Sequence, residues 1–232
     1  MRARQHLTVR LDDLKSGLGQ PGGLLRVSVP IMFDQTTLGR FTAAFAKAYP
    51  QVMLEVVTED RMVDLIADGF DIVIRVNPRP DDSLVGRCFL RNRMVVVALP
   101  DMARPVAGQD RTSAVVFPTL MRIGTTDEDV WQVVDTLGAK TLFFPKAVLR
   151  FSTLLPMRDA ILAGTGAAMV PYPIVASDLA EGRLVSWGIS TAPAAEVWAL
   201  HASRRLVSPK VSAFIQFICD FCAQQLPEAM RT

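Results

Sequence analysis

The most constraining feature is the alternation of element types between residues 24 and 76. Leu24–Pro30 reads as a strand, Thr36–Tyr49 as a helix, Val52–Thr58 as a strand, Arg61–Asp68 as a helix and Phe70–Val76 as a strand. In the first helix Leu38, Phe41, Phe45 and Ala48 share one face. Asp34 or Thr36 is placed to cap its start, and Pro50 stops it. Asp60 suits the start of the second helix and Gly69 its end. Strands joined by helices through short links form a parallel sheet with right-handed crossovers. The run Ile72-Val73-Ile74 has no polar alternation, as a strand covered on both faces requires. Arg75 ends that run. A buried arginine needs a fixed partner or a ligand.

The remaining chain adds a second set of elements. Leu84–Leu90 and Met94–Leu99 read as strands, and the short Arg91-Asn92-Arg93 link between them predicts a tight antiparallel connection. Asp101–Ser113 is polar and loop-like. Strands are expected at Ala114–Phe117, Val130–Asp135, Lys140–Phe144, Val148–Phe151, Ala167–Val170 and Val197–Ala202. Helices are expected at Leu155–Leu162, Tyr172–Ala180 and Pro209–Gln225. This order implies two α/β halves joined by strands near 95–100 and 196–202, with a ligand cleft where strand ends converge. The expected division is 21–97 with 200–232 for the first half and 98–199 for the second. Residues 1–16 are expected to be helical, with Leu7, Leu11 and Leu14 on one side, and a glycine-rich break from Gly17 follows, so that 1–20 is set apart from both halves.

Composition narrows the function classes. The formal net charge of +2 is too weak to imply nucleic-acid binding by this chain alone. The basic N-terminus lacks an apolar core, so no secretory signal is read there. No apolar run reaches the ~20 residues of a membrane helix, and three cysteines do not form a disulfide framework. A cytoplasmic setting without membrane contact is expected.

The stretches GLLRVSVPIMFDQTTLGRFTAAFAKAYPQVMLEVVTEDRMVDLIADGFDIVIRV, DDSLVGRCFL, MRDAILAGTGAAMVPYPIVASDLAEGRLV and SPKVSAFIQFICDFC resemble, in that order, the effector-binding domain of LysR-type transcriptional regulators. The resemblance runs from about residue 8 to 226. It implies an α/β fold of the type II periplasmic-binding-protein kind, two Rossmann-like subdomains joined by a two-strand hinge. It further implies a small effector in the interdomain cleft, and a homodimer, or a tetramer when full-length. In that homodimer, helix 36–49 lies against the second half of another copy. DNA would be contacted only through an upstream winged helix-turn-helix that this chain lacks; residues 1–16 resemble the end of its linker helix. The chain is therefore expected to be a truncated regulator or a solitary sensor. The alternative is a stand-alone solute-binding protein of the same fold.

The carboxyl edges of the strands select the candidate effector residues. In the first half these are Pro30, Ile31 and Phe33, Thr58 and Glu59, and Arg75, with Thr36 at a helix start whose free amides favour an anion. In the second half they are Thr125, Ser152, Thr153, Met169 and Pro171. The effector is expected to be anionic or polar. The competing reading pairs Arg75 internally with Glu59, Asp60 or Asp71, makes the hydroxyls local caps, and puts Phe33 and Met169 in the core.

Other signals point away from chemistry. Cys219-x-x-Cys222 lies within one helix, with no companion ligands of the kind zinc requires. His201 and Ser203 lack an orienting acid, and the N-terminal glycines precede no phosphate-loop lysine. No catalytic residue, metal or cofactor is expected, and the chain is not read as an enzyme.

Overall fold

The computed structural model describes residues 20–33, 38–59, 64–65, 67–79, 83–105, 117–126, 129–203 and 207–225. Two compact units are present. One runs to Arg91 and resumes at Ala195; the other spans Asn92–Ala194. The passages between them fall at 91/92 and 194/195, ahead of the 97/98 and 199/200 divisions read from the sequence.

The first unit is built on a five-stranded sheet. Its strands are β1 (Gly23–Val29), β2 (Val52–Thr58), β3 (Ile72–Val76), β4 (Leu84–Asn92) and β12 (Ala195–Ala202), in the order β2-β1-β3-β12-β4. β1 runs parallel to both β2 and β3, while β12 is antiparallel to β3. Ile72, Val73 and Ile74 are all buried, so this strand is covered on both faces. One face carries Leu25, Val27, Val29, Ile72 and Ile74 against helices α1 (Gly39–Ala48) and α4 (Pro209–Gln225). Between these helices Phe41 meets Phe214 at 5.1 Å and Phe45 meets Phe214 at 5.4 Å, both edge-on. The other face packs Val73 and Leu200 under Leu65 and Phe70.

Half of the helix expected over Arg61–Asp68 lies outside the described residues, and its described part, Asp64, Leu65, Ala67 and Asp68, forms turns rather than a helix. Its described end keeps an Asp68 amide bond to the Asp64 carbonyl (2.9 Å), and Gly69 takes the left-handed conformation that ends such a turn (φ 72°). Arg26 braces this corner: its guanidinium donates to Glu55 and to the carbonyls of Asp68 and Gly69.

The second unit holds a seven-stranded sheet in the order β8-β7-β11-β5-β10-β6-β9. The strands are β5 (Met94–Ala98), β6 (Pro118–Arg122), β7 (Trp131–Val134), β8 (Lys140–Phe143), β9 (Lys146–Phe151), β10 (Ala167–Pro171) and β11 (Val185–Ser190). β8 and β9 lie at opposite edges of the sheet, yet only Phe144 and Pro145 join them. That link spans at most about 11 Å, whereas seven flat strands would stand about 29 Å across. The sheet is therefore curled. Its inner face holds Phe117, Trp131, Phe143 and Trp187, with Phe117 touching the other three at ring distances of 5.6–6.3 Å. Trp187 is turned inward by a bulge in β11 against β5. The next residue, Gly188, has φ 143°, and a Cβ there would stand 2.9 Å from the Val134 carbonyl oxygen.

Three expectations are corrected here. Leu84–Asn92 and Met94–Ala98 are not a hairpin: β4 belongs to the five-stranded sheet and β5 to the seven-stranded one. The strand expected at Ala114–Phe117 lies at Pro118–Arg122, with residues 114–116 outside the described set. β11 was not anticipated, because glycine and two serines break its apolar pattern.

Helices α2 (Leu154–Leu162) and α3 (Tyr172–Ala180) belong to the second unit. They are tied by Asp178, whose carboxylate is fully buried. Arg158 binds it in a two-pronged contact (2.6 and 2.7 Å), and Arg183 donates to the same group at 2.7 and 2.9 Å. Burial alone would raise this carboxyl, but the two arginines outweigh it and hold it below the ordinary carboxylate value.

Candidate functional site

Each unit gathers its candidate residues along one sheet edge. In the first unit the parallel strands β2, β1 and β3 are neighbours; Thr58 stands level with Val29, and β3 runs on past them to Val76. Pro30 and Ile31 follow β1 as a helical turn to Phe33, whose amide bonds back to the Pro30 carbonyl at 3.0 Å. Phe33 itself is core, packing edge-on against Phe89 at 5.6 Å. Glu59 is anchored by its amide to the Val29 carbonyl at 2.9 Å, and its Oε1 is buried. Thr58 is exposed. Asp34, Gln35, Thr36, Thr37 and Asp60 lie outside the described residues.

Arg75 stands opposite Trp198 across the β3–β12 ladder. Its guanidinium donates to the Ile74 carbonyl (2.7 Å) and to the hydroxyl of buried Ser28 (3.4 and 3.5 Å). Asp71, offered by the sequence as a partner for Arg75, instead accepts the Arg26 amide and faces Lys210 at 3.4 Å. Just beyond Arg75, Asn77 adopts φ 45° and exchanges two 2.8 Å bonds with the Glu196 backbone, fixing the strand end. Glu196 in turn accepts from Arg91 and from the Trp198 indole; these bonds hold its carboxyl below the usual value.

In the second unit β10, β6 and β9 are parallel neighbours, so Pro171, Arg122 and Phe151 end together. Pro171 is buried and opens α3. Met169 packs against the aromatic cluster. The Thr125 hydroxyl donates to the Arg122 carbonyl at 2.7 Å and Thr126 bonds to Asp129, so both serve the local turn. Ser152 lends its carbonyl to Arg122, and Thr153 precedes α2 without a side-chain cap bond.

The edge argument from sequence missed two cations here. Arg122 and Arg150 sit at the ends of β6 and β9, both exposed, with Arg150 donating to the Thr125 carbonyl at 2.6 Å. The sequence carried little signal for them: Arg122 lies beyond the strand expected at Ala114–Phe117, and Arg150 stands one residue before the end of β9. Exposed guanidiniums suit a carboxylate.

The cysteine pair is not a reactive centre. Cys222 is buried in the first unit's core, and burial pushes its thiol up to about 12. Burial also raises the Cys219 thiol. Among the described residues no His, Cys, Asp and Glu group is arranged to hold a metal ion, and no helix is long and apolar enough to cross a membrane.

Comparison with known proteins gives a consistent result. The family model described as the LysR substrate binding domain matches residues 18–223. The chain is 29% identical to the HTH-type transcriptional regulator DmlR of Escherichia coli, covering 97% of this chain and 74% of that protein. It is 27% identical to the HTH-type transcriptional regulator PtxR of Pseudomonas aeruginosa, covering 93% and 69%. Among solved structures it is similar in fold to CrgA, a LysR-type transcriptional regulator from Neisseria meningitidis (TM-score 0.71, 20% identity, 95% of this chain and 77% of that one). It is likewise similar to the regulatory domain of AphB from Vibrio vulnificus (TM-score 0.66, 20% identity, 88% and 100%).

Proposed function

Because this chain belongs to the LysR substrate binding domain family, we propose that it senses a small anionic effector through the carboxyl-edge residues of its two units. The observation that supports this reading most is the placement of cations at those edges: Arg75 in the first unit, Arg122 and Arg150 in the second. Thr58, Glu59, Ser152 and Thr153 supply further polar groups beside them. Pro30, Ile31, Met169 and Pro171 give apolar framing. The effector acts by binding one arrangement of the protein better than another. In the full-length regulator that preference is passed through a homodimer to a DNA-binding domain. No step of catalysis belongs to this reading, and relatives named as transcriptional regulators favour it over a solute carrier.

The test is a thermal-shift screen of small aliphatic and aromatic acids against the whole chain. At least one acid should raise Tm in a dose-dependent way. Arg75→Ala and Arg122→Ala should each weaken that acid about tenfold, the worth of one charge-assisted hydrogen bond. A panel with no stabilising acid, or folded arginine variants with full affinity, overturns the reading. A turnover assay on the same acid should show no product.

A further inference from the structure

The curled sheet of the second unit contains a polar atom that its fold does not use. Thr119, in β6, is fully buried, and its Oγ1 has no hydrogen-bond partner. Buried hydroxyls are normally bonded. Strand alternation puts Thr119 on the same face as Phe117 and Met121, two positions away on either side, and both belong to the inner aromatic cluster. The residues level with it are small. Ala167 of β10 and Ala147 of β9 are its register partners, and the β10–β5 ladder brings Ala98 beside Ala167. All three alanines pack with the inner cluster. A row of three methyl groups thus flanks a single hydroxyl on the face where the aromatic cluster packs.

Two features decide what such a place would take. An ordered water needs two to four polar partners, and here the side chains of the row supply one. The edge strand β9 is also irregular at this rung: its pairing with β6 shifts between Thr119 and Leu120, leaving Val148 bulged and exposed. An edge strand with a broken ladder opens more readily than the strands inside the sheet. We infer that the inner face of the second unit's sheet, at Thr119, Ala147, Ala167 and Ala98, admits a small, mostly apolar molecule that carries one hydroxyl or similar group. The molecule enters past β9, and its polar group bonds to Thr119 Oγ1. This site is separate from the cationic edges and does not depend on them.

The test uses benzyl alcohol and its hydroxyl-free counterpart toluene as probes. The chain has three tryptophans; with Trp198→Phe, the remaining fluorescence comes from Trp131 and Trp187, both in the inner cluster. Benzyl alcohol should change that fluorescence saturably and bind more tightly than toluene. Thr119→Val keeps the shape and removes the hydroxyl. It should lower benzyl alcohol affinity about tenfold, leave toluene unchanged, and raise Tm slightly, because an unbonded buried hydroxyl is removed. Thr119→Ser should retain the preference for benzyl alcohol. Ala147→Leu should weaken both probes by filling the row, and Arg75→Ala should affect neither. Absence of a saturable signal for either probe overturns the inference, as does an unchanged preference in Thr119→Val. A Thr119→Val protein that melts markedly lower shows the hydroxyl to be structural and also overturns it.

Discussion

The two sheets solve the same problem differently. The five-stranded sheet stays open and is covered on both sides, by α1 and α4 on one face and by Leu65 and Phe70 on the other. The seven-stranded sheet covers one face with itself. It curls until its two edge strands are linked by two residues, and it lines the interior with Phe117, Trp131, Phe143 and Trp187. Aliphatic strands under a phenylalanine-rich helix pair tolerate regular geometry. A self-closing sheet does not: it needs the β11 bulge and the positive φ at Gly188 to turn Trp187 inward.

The largest expected effect breaks one core at a time. Phe214→Ala in the first unit and Trp187→Ala in the second each remove a buried aromatic ring, at a cost of about 3–5 kcal/mol. Hydrogen exchange should show Phe214→Ala exposing amides of β1, β3 and α1, and Trp187→Ala exposing those of β5, β7 and β11. Equal deprotection of both units by either variant would show that the contrast has no energetic counterpart.

A smaller effect tests the staple confined to the second unit. Asp178→Asn leaves Arg158 and Arg183 without their carboxylate. Both arginines reach solvent, which softens the usual penalty for breaking a buried pair to about 2–3 kcal/mol. The pH dependence follows from the lowered carboxyl. Its contribution is present above the unfolded value of about 3.9 and is lost as pH falls toward the lower folded value. Urea midpoints measured from pH 6 to pH 3 should therefore converge for the native and Asp178→Asn proteins at the acid end.

The smallest effect belongs to the first unit's thiols. Cys219→Ser should change stability by no more than about 0.5 kcal/mol. In the native protein Cys222 should resist a thiol reagent until the chain unfolds, as a buried thiol near 12 forms almost no thiolate. Rapid native labelling of Cys222 would show that the α4 core opens far more often than its packing implies.

The contrast also explains which parts were readable beforehand. β1, β2 and β3 were anticipated within a residue or two because strand and helix periods alternate cleanly there. β11 was not: its side chains follow a bulge, which has no signature in hydrophobic spacing. The supposed hairpin at Arg91–Arg93 failed for a similar reason. A short link suggests pairing, yet β4 and β5 find partners in different sheets, β12 for one and β10 with β11 for the other. At the candidate site, Arg75 was visible because it ends an apolar run. Arg122 and Arg150 were not, because only the parallel pairing of β6 with β9 brings their strand ends together.

Local pattern alone thus determined the strands β1 to β3 and the helices α1 and α4 of the first unit, the family, and the residue kinds at each strand end, because those depend on neighbours a few positions away. Only the tertiary structure decided the sheet order, the curl of the second unit, the choice of Ser28 beside Arg75, and the unbonded hydroxyl of Thr119. Each of these depends on which distant segment lies alongside, and that is set by the cost of leaving apolar faces and backbone groups uncovered rather than by anything written in adjacent residues.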